Sequence, residues 1–251
     1  MDGQNAYDWV HFILRWFHVT GAITWVGSML YFQWVGRTTG GSEPDAVRAT
    51  GAGPKIAHWF RRETALTWVS GVLLLFLVYF SARIAELGHG LANLALLAVG
   101  WLVYDRLWRG RTALALALSV VLLAGVAAGL GHFYGGRLVY LMLGALLGTL
   151  MAGNVWLRVV PALADPADEA RLALARQRST HNSYLTFPVV ALMLSSHVPA
   201  VQESRLGPLV VVLLVAAFVA ARHVVVNGRS GRWALWVVLG LLAAMVFLTG
   251  R

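Results

Sequence analysis

The chain has 251 residues, of which 59% are hydrophobic and 12% are charged, and its formal net charge is +9. Soluble domains are roughly half apolar and about a quarter charged, so this composition excludes an ordinary soluble enzyme and indicates a membrane protein. The chain has no cysteine, which excludes disulfides, iron–sulfur clusters, covalently attached c-type haem and cysteine nucleophiles. Its positive charge is almost entirely arginine placed between apolar runs, which favours membrane topology over nucleic acid binding.

Apolar stretches long enough to cross a bilayer as a helix, about 20 residues, recur along the whole chain. We predict eight spans, over residues 8–35, 64–83, 90–107, 112–131, 137–160, 182–198, 206–226 and 232–249. The first is too long for a cleavable signal peptide and contains Arg15 and His18. The sequence therefore predicts an all-α, polytopic helical bundle that forms a single membrane domain over residues 1–251.

The positions of lysine and arginine predict the orientation of these helices. Fifteen of the twenty Lys and Arg residues fall on one side of the predicted topology and five on the other. Because the positive side is normally cytoplasmic, both termini are expected outside. The polar cytoplasmic loops are expected at about residues 36–63 and 161–181.

Eight histidines stand out in so apolar a chain, because polar side chains inside a bilayer are costly and usually have a functional partner. Neutral imidazole is a common axial ligand of b-type haem held between helices, which predicts one or two haems here. The topology places an outer and an inner group of candidate ligands: His18, His132 and His197, and His58, His181 and His223. The alternative for each of them is solvation among lipid headgroups.

A polar run at residues 176–184 precedes a membrane helix and includes His181 and Asn182. Arginines and free N–H groups at a helix N-terminus favour a bound anion, so we expect a small anionic substrate here. His181 and Asn182 are the candidate catalytic residues. The candidate substrate ligands are Arg61, Arg62, Arg178 and Tyr184. Positive-inside anchoring alone is the alternative explanation for the arginines.

Short motifs in chain order resemble one family, the membrane domain of bacterial membrane-bound urate oxidases (urate hydroxylases). They are Leu14-Arg15-Trp16-Phe17-His18-Val19, Trp25-Val26-Gly27, His58-Trp59-Phe60, Thr67-Trp68-Val69-Ser70-Gly71, Gly131-His132-Phe133, Gly144-Ala145, Gly148-Thr149, Asn154, His181-Asn182-Ser183-Tyr184-Leu185-Thr186-Phe187-Pro188, Ser196-His197-Val198-Pro199 and Arg222-His223. The resemblance runs from the first predicted helix to the last.

This resemblance implies an eight-helix membrane domain that oxidises urate to 5-hydroxyisourate and passes electrons to a cytochrome c domain on the outer side. The chain has no Cys-x-x-Cys-His motif, so a separate cytochrome c or a quinone is the expected acceptor. Met142 stands where the family pattern has histidine. Methionine can also ligate haem, so Met142 is either a ligand or an ordinary apolar residue.

Three functions are compatible with the sequence. The first is a haem-b oxidoreductase in the bacterial inner membrane that acts on a urate-like anion. The second is a non-catalytic cytochrome b subunit of a larger membrane complex. The third is a copper-handling membrane protein, because the His18 helix also loosely resembles copper-resistance proteins and haem-dependent protoporphyrinogen oxidases. In each case the lipid bilayer surrounds the chain.

Overall fold

The computed structural model describes residues 3–80, 84–110, 112–165 and 167–250. Within these ranges the secondary structure is helical and contains no strand, which confirms the predicted all-α class. The helices are α1 (Gly3–Thr38), α2 (Glu43–Ala49), α3 (Gly53–Leu75), α4 (Ile84–Leu107), α5 (Thr112–Phe133), α6 (Gly136–Asn154), α7 (Val160–Ala164), α8 (Glu169–Leu194), α9 (Pro199–Gln202), α10 (Gly207–Asn227) and α11 (Trp233–Thr249). Arg83, Arg111 and Arg251, which the predicted topology counts, lie outside the described residues.

Five helical segments among the described residues are long and apolar enough to cross a membrane. They are Gly53–Phe80, Leu87–Leu107, Thr112–Phe133, Gly136–Ala164 and Gly207–Gly231. Helix α11 is apolar but has 17 residues, or about 26 Å at 1.5 Å per residue, slightly less than a hydrocarbon core. The other two predicted spans correspond to α1 and α8, which are long but carry buried polar side chains.

The segments predicted as polar loops, 36–63 and 161–181, are largely helical. Helix α1 continues to Thr38, and α2 begins after Ser42, whose backbone N–H donates to Asp45 Oδ2 at 3.0 Å. The Asp168 side chain accepts from the N–H of Arg171 at the start of α8. Polar residues that the sequence analysis assigned to loops therefore cap helices. The cytoplasmic location of both segments stays a prediction.

The fold divides into two compact units. Unit 1 comprises Met1–Ala98 and Gly148–Ser183, and unit 2 comprises Val99–Leu147 and Tyr184–Arg251. The prediction of a single membrane domain stays a prediction.

Unit 1 is organised by the antiparallel packing of α1 on α3, in which Phe32 meets Phe60 and His18 meets Thr67. The buried residues of α1 recur every three or four positions and so share one face: Gly21, Trp25, Met29, Gln33 and Gly36. Gly21 permits close approach of α1 to α3, and Gly36 permits close approach of α1 to the start of α2. A Cβ at Gly21 would lie 2.9 Å from Thr67 Oγ1, and one at Gly36 would overlap the Ser42 carbonyl.

A π-helical turn over Val155–Val159 joins α6 to α7 within unit 1, just before Pro161. Proline lacks an N–H, and its ring collides with the carbonyl four residues earlier in an α-helix. The wider turn relieves that collision while the helix continues to Ala164. Such turns often occur at functional sites.

Unit 2 is built around α10, which packs against α5 and α11. Its buried residues include Val210, Val211, Leu214 and Ala217 on one face. Elsewhere in the unit, Gly136 lies directly against the carbonyl of Gln202. Tyr140 is buried, and its hydroxyl donates to the Val201 carbonyl at 3.2 Å. This bond joins α6 to the segment that precedes α10.

We predict that Gly36→Ala destabilises the protein, because the new Cβ would overlap the backbone carbonyl of Ser42. Such overpacking typically costs about 1–3 kcal/mol. Gly27→Ala on the same helix is the matched control, because nothing lies within 4 Å of its new Cβ. Thermal unfolding in detergent, followed by tryptophan fluorescence, should show a lower midpoint for Gly36→Ala only. Equal midpoints in the two variants would refute the close approach of α1 and α2.

Candidate functional site

Several of the polar side chains buried in unit 1 lie where α1 meets α3 and where α2 meets α8. Gln33, Glu43, Glu63 and Ser179 are each at most 9% exposed. A polar group inside a membrane protein is costly unless another protein group satisfies it, so this arrangement marks the candidate functional region.

His18 lies in α1 with its ring against α3. Its Nδ1 lies 2.8 Å from the Thr67 carbonyl oxygen. Because a carbonyl oxygen only accepts hydrogen bonds, Nδ1 carries the proton in this contact and the neutral ring keeps its lone pair on Nε2. A hydrogen bond of this kind fixes the orientation of histidine ligands at metal sites.

Gly71 makes room for the His18 ring. A Cβ added at Gly71 would lie 2.7 Å from His18 Cε1 and 2.9 Å from Nδ1. The imidazole is thus held between the Thr67 carbonyl and a glycine surface on α3. Of the candidate ligands, His18 has the ring orientation and tautomer best suited to binding a metal through Nε2.

His223 in unit 2 is arranged differently. Its Nδ1 lies 3.0 Å from the Tyr184 hydroxyl and 3.1 Å from the amide nitrogen of Asn227. Because an amide nitrogen only donates, Nδ1 accepts and the neutral ring carries its proton on Nε2. This tautomer is less suited to ligation through Nε2. The structure thus brings two predicted site residues together, His223 and Tyr184, as a hydrogen-bonded pair.

A buried acid of unit 1, Glu63, lies on α3. The Thr24 hydroxyl of α1 donates to Glu63 Oε2 at 2.5 Å, and the Thr67 hydroxyl donates to the Glu63 carbonyl. The residue after Thr67, Trp68, donates from its Nε1 to Thr149 Oγ1 at 2.9 Å. The α1–α3 interface therefore holds an acid whose partner on α1, Thr24, lies within two helical turns of His18.

A second buried carboxyl, Glu43 of α2, joins three helices. Ser179 of α8 donates to Glu43 Oε2 at 2.6 Å, and Gln33 of α1 donates to the same oxygen at 3.3 Å. Burial raises the pKa of the Glu43 carboxyl to about 7, although the hydrogen bonds from Ser179 and Gln33 oppose the rise. The carboxyl therefore titrates near neutral pH.

Asp45, on the same short helix, is held ionised. Its carboxylate accepts from Arg176 Nη2 at 2.8 Å and from Arg176 Nε at 3.1 Å. Partial burial raises the pKa of Asp45, but the hydrogen bonds from Arg176 and Ser42 outweigh this effect and hold it at about 2. The fork of two nitrogens on one carboxylate ties α2 to α8.

The candidate catalytic and anion-binding residues of α8 lie beside this cluster in sequence. Arg178 is completely buried, and His181 is half-buried. Asn182 accepts from Asn154 at 2.8 Å and donates to the Met151 carbonyl at 3.1 Å. Its amide thus fixes α8 to α6.

The remaining candidates are exposed: His58, His132, His197, Arg61 and Arg62. Met142 is completely buried in unit 2, so it does not face lipid. In the part of the chain that the structure describes, no group of three or more His, Cys, Asp or Glu side chains could hold a metal ion. A haem iron needs one or two protein ligands, so the predicted haem site stays a prediction.

Neither buried acid of unit 1, Glu43 or Glu63, was among the predicted site residues. Glu63 falls one residue before a predicted span, and Glu43 falls inside a predicted loop, where acids are common. The available signal for Glu63 was the helical periodicity of α3, which places it on the same face as Phe60, Thr64 and Thr67. For Glu43 we find no local sequence signal, because its partners are 10 and 136 residues away.

We predict that Glu43→Gln stabilises the protein above neutral pH. The pKa of Glu43 is raised from 4.5 to about 7 in the fold, so its stabilising contribution is fully present below about pH 4.5 and is lost as pH rises through about 7. The full shift corresponds to about 3 kcal/mol. As the pH is raised from about 5 to about 8, the thermal unfolding midpoint of the unmodified protein should therefore decrease relative to that of Glu43→Gln.

The exposed acid Glu203 provides the matched control. Glu203→Gln should keep the pH profile of the unmodified protein. If Glu43→Gln does the same, the buried carboxyl does not titrate in this range.

A comparison with protein families agrees with this picture of a helical membrane domain. The family model described as "Urate oxidase N-terminal" matches residues 46–250, which is most of the chain. No match was found among curated proteins or among solved structures. The match confirms the resemblance on which the sequence analysis relied: the chain belongs to the urate oxidase N-terminal family.

Proposed function

We propose that this chain is a membrane oxidoreductase that holds haem b and passes electrons from urate, or a similar small anion, to a separate cytochrome c or a quinone. Family membership supports a urate-oxidase-like membrane protein. The single observation that carries the haem proposal is the His18 ring, which is oriented by the Thr67 carbonyl and seated on Gly71.

The surroundings of His18 suit a histidine that ligates haem iron. With its proton on Nδ1, the ring offers Nε2 to an iron, and the Thr67 carbonyl increases the basicity of that nitrogen. The bound haem would supply a one-electron acceptor for substrate oxidation. His58, His132, His181, His197 and His223 remain the candidates for further ligands, with one or two haems per chain.

The substrate part of the proposal rests on α8. Arg178 is completely buried, and a buried cation attracts an anion more strongly than an exposed one does. We propose that Arg178 orients the urate anion, with Arg61, Arg62 and Tyr184 as further contacts. We propose that His181 accepts a proton from it while Asn182 holds α8 in place. Conversion of urate to 5-hydroxyisourate consumes one water and releases two protons and two electrons.

The proposed setting is a bacterial inner membrane with both termini outside. Electrons would leave towards a cytochrome c on the outer face or a quinone within the bilayer, either directly or in a larger membrane complex. The long apolar helices support the membrane location. The orientation rests on the distribution of Lys and Arg.

A non-catalytic cytochrome b is the second candidate. The His18 geometry supports it equally well, because an electron carrier needs the same oriented ligand. The two functions differ in the substrate site on α8, so they are separated by whether urate delivers electrons to the protein.

We predict that His18→Ala abolishes both the b-type haem band and anaerobic, urate-dependent reduction of added cytochrome c or quinone. His89→Ala is the matched control, because His89 is exposed and is not a proposed ligand. Difference spectra and acceptor reduction under argon measure the two effects. Unchanged haem content in His18→Ala would remove His18 from the site.

A chain with haem that never reduces an acceptor from urate would be an electron carrier, and stoichiometric copper without haem would favour the copper-handling alternative.

A further inference from the structure

The π-helical turn between α6 and α7 borders a cavity that the proposed function does not use. The cavity measures about 320 Å³ and lies in unit 1. It is lined by Leu157, Arg158, Pro161, Arg171 and Leu174. We refer to it as the Arg158 cavity. Two arginines and three apolar residues therefore line one small space.

The position of the Arg158 cavity relates it to the membrane. Leu157 and Arg158 lie near the end of Gly136–Ala164, a segment long and apolar enough to cross a bilayer. Leu157 is 51% exposed, whereas most of that segment is buried, so an apolar side chain is open to the surroundings beside the cavity. Arg158 and Arg171 stand on the side with the excess of positive charge, which the sequence predicts to be cytoplasmic.

Arg171 forms ion pairs with two acidic side chains. Arg171 Nε lies 3.0 Å from Asp168, and its Nη1 lies 3.7 Å from Asp165. One Asp168 oxygen also accepts from the Arg171 N–H at the start of α8. These side chains are substantially exposed, and exposed ion pairs are weak. The contacts therefore leave the Arg171 guanidinium able to bind a second anion.

We propose that the Arg158 cavity binds the phosphodiester headgroup of an anionic phospholipid. Arginine pairs with phosphate oxygens through two parallel hydrogen bonds, and basic pockets between membrane helices on the cytoplasmic side bind anionic headgroups. Leu157, Pro161 and Leu174 supply apolar surface that can contact the apolar part of a phospholipid. A free phosphate has no such part. This proposal does not depend on haem or on urate.

The test uses the full chain in detergent micelles supplemented with phosphatidylglycerol or with phosphatidylcholine. Phosphatidylglycerol should raise the unfolding midpoint and remain bound in native mass spectrometry, whereas phosphatidylcholine should do so less. In Arg158→Gln and in Arg171→Gln the affinity for phosphatidylglycerol should fall about fivefold each. Arg158→Lys keeps the charge but loses the paired hydrogen bonds, so its affinity should fall between those of the unmodified protein and Arg158→Gln.

The matched control is Arg48→Gln, which removes the same charge from an exposed arginine of α2. It should leave the response to phosphatidylglycerol intact. An equal loss in Arg48→Gln, or no loss in either cavity variant, would overturn the proposal. An equal response to soluble glycerol 3-phosphate would show a site for free phosphates. Urate protection that depends on Arg158 would instead make the cavity a substrate site.

Discussion

The architecture of unit 1 depends on one constraint: polar side chains placed among membrane helices must find their partners inside the protein. The α1–α3 interface meets it with His18 on the Thr67 carbonyl and Thr24 on Glu63. These bonds need close approach of α1 and α3, which Gly21 and Gly71 permit. The same contacts that satisfy buried groups also orient the ring of His18, the proposed haem ligand.

Substrate oxidation of the proposed kind releases two protons for every two electrons, and unit 1 holds two buried carboxyl groups, Glu43 and Glu63. Burial keeps the pKa of Glu43 near neutrality, so this group can change its charge under physiological conditions. By contrast, Asp45 stays ionised against Arg176 and holds α2 on α8. Neighbouring acids on one short helix thus differ in role because only one has a cationic partner.

The sequence predicts the all-α class because membrane helices need long apolar stretches, and it singles out His18 because histidine is costly there. It does not predict the tautomer of His18, which depends on a carbonyl 49 residues away, or the pairing of His223 with Tyr184, which is 39 residues away. Nor does it predict Glu43, whose burial arises from side chains on α1 and α8. The helices at 36–63 and 161–181 were missed because capping residues and loop residues are of the same types.

The central claim is that the chain accepts electrons from a urate-like anion through a histidine-held haem. The most direct measurement mixes urate with the oxidised, purified protein under argon, without any added acceptor, and records the visible spectrum. The account predicts that the reduced b-type haem band appears, with 5-hydroxyisourate as the product. A preparation that dithionite reduces but urate leaves oxidised would contradict it.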